Sequence, residues 1–173
     1  PEDPGSAICH GAVRLHIAKD TIQSRIAKKT YGTSTSRRAV AGDPAEFVCV
    51  DDDGELMCKD TFHVFVREGS KVPLGHSVQH CFWPTAHGQR SMDIVLYSSA
   101  NPNPKFTSGE EGVVEEGRFE VDISEEAKEM DKKRRISVRM CFGASLIGVT
   151  ASRVNFGRSR AEEHGLSVVF HAH

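Results

Sequence analysis

Apolar residues at every second position recur in segment after segment of this chain, and that spacing restricts the fold more than any other feature. The series are Phe62/Val64/Val66, Met92/Ile94/Leu96, Phe119/Val121/Ile123, Ile136/Val138/Met140/Phe142, Ile147/Val149/Ala151 and Leu166/Val168/Phe170. Successive side chains of a strand point to opposite faces, so each series is the apolar face of a half-buried strand. Arg135, Ser137, Arg139 and Cys141 alternate with the fourth series and predict a polar outer row, as in antiparallel sheets wetted on one side. Six or more short strands separated by turn residues predict a mainly β chain folded as a sandwich or barrel.

The turns agree with this reading. Asp53-Gly54 is placed to close a hairpin between residues 46–50 and 55–59, and Pro102 and Pro104 punctuate the loop after the Met92 strand. Residues 125–134 are almost all charged and predict an exposed turn or short helix. The first residues follow another pattern: Asp3 as cap, Pro4 at the first helical position, and Ile8, Ala12 and Leu15 on one face predict a helix over 3–17. A second capped turn starts at Asp20, and the extended segment from Arg25 begins a new unit, with the boundary near residues 27–31.

With 173 residues, 38% of them hydrophobic and 27% charged, the chain is long enough for one substantial core without metal or disulfide staples. Its net charge of −2 offers no basic excess for nucleic acid. The most apolar stretch, 140–149, is too short for a membrane helix and is broken by Gly143, so neither nucleic acid nor membrane is an expected partner. The chain opens Pro1-Glu2-Asp3-Pro4, without an initiator Met or the regions of a signal peptide, and reads as a piece of something longer. Five cysteines (Cys9, Cys49, Cys58, Cys81 and Cys141) and no Asn-x-Ser/Thr acceptor favour the reducing cytosol. Cys49 and Cys58 flank the hairpin turn, where a bridge is the lesser reading and free thiols the greater.

Motifs for enzymatic chemistry are missing: there is no phosphate-cradling Gly-rich loop, no Gly-x-Ser-x-Gly, no His-Glu-x-x-His and no Cys-x-x-Cys. The acidic run Asp51-Asp52-Asp53-Gly54-Glu55 lacks the Gly and Glu positions of a calcium loop and reads as a solvated turn. His80-Cys81, His87, His171 and His173 lack paired metal-ligand spacing. Glu162, Glu163 and His164 read as an exposed loop, and no residue is assigned a catalytic role.

Gly11-Ala12-Val13 on a helix, followed by Ser24-Arg25-Ile26-Ala27-Lys28-Lys29-Thr30-Tyr31-Gly32, resembles the end of the ATPase domain and the crossing into the substrate domain of divergent seventy-kilodalton heat-shock chaperones. The heat shock 70 kDa protein 12 type is the most similar branch. The resemblance continues through Asp60-Thr61-Phe62, Val72-Pro73-Leu74-Gly75, Cys81-Phe82-Trp83-Pro84, Ile94-Val95-Leu96-Tyr97-Ser98-Ser99, the Phe119 strand, Met140 to Gly143, and Val168-Val169-Phe170. It rests on the order of many short matches.

The resemblance implies an antiparallel β-sandwich of the chaperone substrate-binding type over 29–173, without a helical lid, preceded over 1–28 by a short α-helical remnant of the ATPase domain and its linker. It implies a cytoplasmic, stress-response chaperone whose partners are extended or unfolded polypeptide segments. ATP belongs to the missing domain, and no cofactor is expected in this chain. By position, the peptide cleft is carried by Thr33, Thr35, Ser36, Cys81, Phe82, Met92 and Ile94, and the interdomain relay by Tyr31 and Gly32. The alternation alone accounts equally for Phe82, Met92 and Ile94 as core, and both readings stand at this point. Thr33, Thr35 and Ser36 replace side chains that are more often apolar in the family, which leaves open a scaffold domain that binds folded partners instead. A hydrolase or metal enzyme is the least favoured class.

Overall fold

The computed structural model describes residues 23–124, 135–143 and 146–153 in full and 163–169 as backbone. The predicted helix over 3–17, the turn at Asp20 and the charged run 125–134 lie outside the described residues. The strands are β1 (Ser24–Ile26), β2 (Thr30–Arg38), β3 (Val48–Val50), β4 (Leu56–Val66), β5 (Lys71–Pro73), β6 (His76–Phe82), β7 (Ser91–Ser99), β8 (Val113–Asp122), β9 (Ile136–Phe142), β10 (Leu146–Arg153) and β11 (Glu163–Val169). They form a five-stranded sheet in the order β3-β4-β2-β7-β8, a four-stranded sheet in the order β11-β10-β9-β6, and the small pair β1-β5. Every pairing is antiparallel. No helix among the described residues is long and apolar enough to cross a membrane.

The alternating series become the two inner faces. Ile94, Leu96 and Val121 meet Val138, Met140, Phe142, Ile147, Val149 and Ala151 in one buried cluster, with Val121, Val138 and Ala151 fully enclosed. Each fully buried Val, Leu, Ile or Met side chain here contributes about 1.5–3 kcal/mol by leaving water. The stretch before β2 is tied to this body: Ile26 pairs with Lys71, Leu74 N–H donates to Gln23 O, and Ala27 is buried in the core.

Three expectations need correction. In β4 the core cluster takes Val66, as expected, and Phe65 in place of Phe62 and Val64, because Tyr31 pairs with Val66 and Gly32 with Val64, leaving Phe65 as an extra residue that the bulge turns inward. Phe62 lies on the other face, its ring 6.5 Å from that of Tyr97. The outer row of β9 is only partly wetted, since Ser137 is buried. Glu163 and His164 stand in β11, paired with Ser152 and Ala151, and not in a loop.

The hairpin at Asp53-Gly54 forms as the turn chemistry requires. Asp51 Oδ1 accepts from Asp53 N–H (3.1 Å) and Glu55 N–H (2.7 Å), and Gly54, at φ 81°, donates to Asp51 O. Cys49 sits opposite Met57 and Cys58 opposite Val48, so the two thiols point to opposite faces of the hairpin and stay free. The segment between β7 and β8 folds back over the outer face. Lys105 O accepts Phe62 N–H, Asp60 O accepts Thr107 N–H, and the Phe106 ring stacks on Phe47 at 4.5 Å.

Candidate functional site

β2 and β7 pair only from Thr30↔Ser99 to Thr33↔Leu96. Beyond that point β2 continues along β4 to Arg38, while β7 runs along β8 to Ser91. The five-stranded sheet therefore opens into a fork, with residues 34–38 on one prong and 91–95 on the other. Strand edges that face a gap present rows of backbone N–H and C=O groups, which a further extended chain can satisfy.

The split has a local cause. Thr35 pairs with Thr61 but Arg37 pairs with Cys58, so β4 carries an extra residue between them, and Asp60 there takes φ 57°. Such a bulge bends its strand and increases the twist. Thr61 Oγ1 donates to Thr35 O at 2.7 Å, which fixes the bend on the β2 side. Further out, the Arg37 guanidinium grips both oxygens of Asp43 at 2.8 and 2.7 Å, and Val40 N–H donates to Asp43 Oδ2. The side-chain bond from Arg37, followed by that from the Val40 amide, holds the Asp43 carboxyl far below the usual carboxylate range.

The prongs meet again at the open end. Asp52, on the tip of the β3-β4 hairpin, accepts His87 N–H at 2.7 Å, and His87 Nε2 lies 3.3 Å from Asp53 Oδ1. His87 belongs to the loop that leads into β7, and Gln89 shapes that loop: its Oε1 accepts from Thr85 and Ala86, and its Nε2 donates to Ser91 O at 2.6 Å. Trp83, at the start of this loop, and Val50 and Leu56, near the hairpin tip, are at least half exposed.

Thr33 is buried at the crotch, opposite Leu96. Thr35 and Ser36 are half-buried on one prong; Met92 is half-buried and Ile94 is buried on the other. Phe82 lies within the core, edge-on to His63 at 5.3 Å, and His63 pairs with Thr33. Cys81 pairs with Ser137 and, by alternation along β6, points to the other face from Phe82. Thr33 thus stands at the crotch, Thr35 and Ser36 on the β2 prong, Met92 and Ile94 on the β7 prong and Phe82 deeper between the sheets, with Cys81 apart.

Comparison with known protein families returns no match, and comparison with curated proteins returns none. The fork is therefore interpreted from its own geometry and from the order of the sequence segments that build it.

Tyr31 and Gly32 lie in the stem, where β2 has a partner on each side. Burial, and secondarily Glu116, raises the Tyr31 phenol above its ordinary value. Glu116 owes its position to a bulge in β8, since Leu96 pairs with Gly117 and Tyr97 with Glu115. It accepts from Ser98 Oγ at 2.6 Å and from Lys29 Nζ at 3.3 Å. Among the described residues no group of three or more His, Cys, Asp or Glu is disposed to hold a metal ion.

The sequence reading missed the Arg37–Asp43 pair, the Asp52–His87 contact and Glu116. The Asp-Gly turn was visible, but its partner lies 35 residues away, and no local pattern joins the two.

Proposed function

We propose that this chain is a chaperone-like domain that holds an extended or unfolded polypeptide segment in the fork between β2 and β7. The parting of these two strands after Thr33 and Leu96 is the observation that carries the reading. A strand-like peptide lying between the prongs would bond to backbone groups on both and set one apolar side chain against Met92 and Ile94. One such side chain contributes about 1.5–3 kcal/mol, and a few net hydrogen bonds about 1 kcal/mol each. Association costs at least about 4 kcal/mol, so these contacts alone leave weak binding, no tighter than about millimolar.

The hydroxyls of Thr33, Thr35 and Ser36 make the β2 wall polar, which favours backbone contacts over apolar selection. Tyr31 and Gly32 would relay the state of an attached ATPase domain through the stem, and ATP would bind there and not in this chain. The similarity of the ordered segments to heat-shock chaperones and the two-sheet architecture support this reading, and with it a cytoplasmic chaperone role. A scaffold domain with a closed cleft is the competing reading, favoured by the Asp52–His87 bridge across the open end.

Fluorescence anisotropy against labelled leucine-centred heptapeptides tests the proposal. Weak, saturable binding at millimolar peptide is expected, with loss in a Met92→Asp variant that keeps its β circular dichroism. Hydrogen exchange on the unmodified protein supplies a readout independent of that variant, because bound peptide should protect amides within 34–36 and 92–95. Absence of both binding and protection at tens of millimolar peptide removes the cleft and leaves the scaffold.

A further inference from the structure

The opposite border of the sandwich carries a second, different groove. β4 is covered on its outer edge by β3 at Leu56–Cys58 and by the 105–107 segment near Thr61, but from Val64 to Val66 that edge has no strand beside it among the described residues. Facing it, β6 is the edge strand of the other sheet and pairs only with β9 among the described residues. Between these edges lies a recess of about 340 Å³. Val64, Val66 and Val78 supply apolar surface, and Arg67, Lys71 and His76 stand exposed around it. Among the described residues no carboxylate lines the recess.

Two unpaired strand edges flanking an apolar trough are the requirement for adding a strand, since an incoming chain satisfies backbone groups while its alternate side chains enter the trough. The cationic rim decides which chain. The Arg67 guanidinium donates to Pro102 O and to Asn103 Oδ1, both neutral, so its charge is not compensated by those contacts. Lys71 stands exposed on the same rim. We propose that the β4–β6 groove is a docking site for an extended segment of a partner protein in which acidic residues alternate with small apolar ones. The apolar side chains would pack on Val64, Val66 and Val78 while the carboxylates face Arg67 and Lys71. This site is separate from the fork, and its occupant is acidic where the fork's is centred on leucine.

The probe is a labelled decapeptide of alternating Val and Glu, compared by anisotropy at low and high salt with a decapeptide of alternating Val and Lys. Saturable binding of the acidic peptide alone is expected, weakening as salt screens the exposed charges. The double variant Arg67→Glu and Lys71→Glu changes two exposed positions and should weaken the acidic peptide about tenfold or more while admitting the basic one. Hydrogen exchange should show protection along β6 and at 64–66, with 34–36 unaffected. If the acidic peptide fails to bind at millimolar concentration, or the charge reversal leaves its affinity unchanged, the proposal falls and the basic residues serve only to guard two bare edges. Binding in the fork is read by a different peptide and different amides, so either proposal can fail without the other.

Discussion

Gly32→Ala perturbs the stem of the fork at its tightest point. A methyl added at Gly32 would sit 2.2 Å from the carbonyl oxygen of His63 and 2.4 Å from Phe62 Cε1. The first distance is about 1.2 Å inside the 3.4 Å at which ordinary contact begins. The Phe62 ring end can swing, but the His63 carbonyl belongs to β4 where it pairs with β2, so relief requires the two strands to separate. Overpacking typically costs about 1–3 kcal/mol, and a clash with paired backbone falls at the upper end, near 3 kcal/mol. For a domain of this size that lowers Tm by about 6–12 °C and the urea midpoint by roughly 1–3 M. The assay is urea unfolding followed by circular dichroism and Trp83 fluorescence, and the two probes should coincide. A loss below about 1 kcal/mol with unchanged cooperativity would refute the claim that glycine is required here by the closeness of β4.

Two further substitutions probe the region between the sheets. The buried Nε2 of His63 has no hydrogen-bond partner among the described residues, and burial, followed by the nearby His80, lowers the His63 pKa below its ordinary 6.5. Above pH 6.5 the imidazole is neutral in folded and unfolded chains alike; as pH falls through that value the unfolded chain takes the proton first, and stability declines until the folded pKa is reached. Urea midpoints measured from pH 8 to pH 5 should fall more steeply than those of His63→Phe, and equal slopes would remove His63 as the cause. Phe82→Ala should cost about 3–5 kcal/mol, since the ring is buried against His63 and Phe65; a thermal melt showing a loss under 1 kcal/mol would move Phe82 out of the core.

The legible parts of the fold were those where pairing leaves alternation undisturbed. In β7, β9 and β10 the apolar series lie on the buried face as the spacing predicts. β4 resisted the same treatment, because its bulges at Phe65 and Asp60 interrupt the period, and a bulge is a relation between two strands that neither sequence displays alone. The candidate site divides in the same way. Thr33, Thr35 and Ser36 fall on the β2 prong and Met92 and Ile94 on the β7 prong, while Cys81, carried over by position together with Phe82, faces away from it because adjacent residues of a strand face opposite ways.

The sequence by itself determined which residues turn inward along most strands, where the Asp53-Gly54 hairpin closes, and that the chain is mainly β. Those are consequences of backbone stereochemistry acting over two to four residues. The tertiary structure alone decided that β2 and β7 part after Thr33, that His87 meets Asp52 across the gap, and that among the described residues β4 from Val64 to Val66 and β6 have no strand on their facing edges. Each of these depends on residues tens of positions apart being brought side by side, and the free energy that brings them there belongs to the packed sheets as a whole.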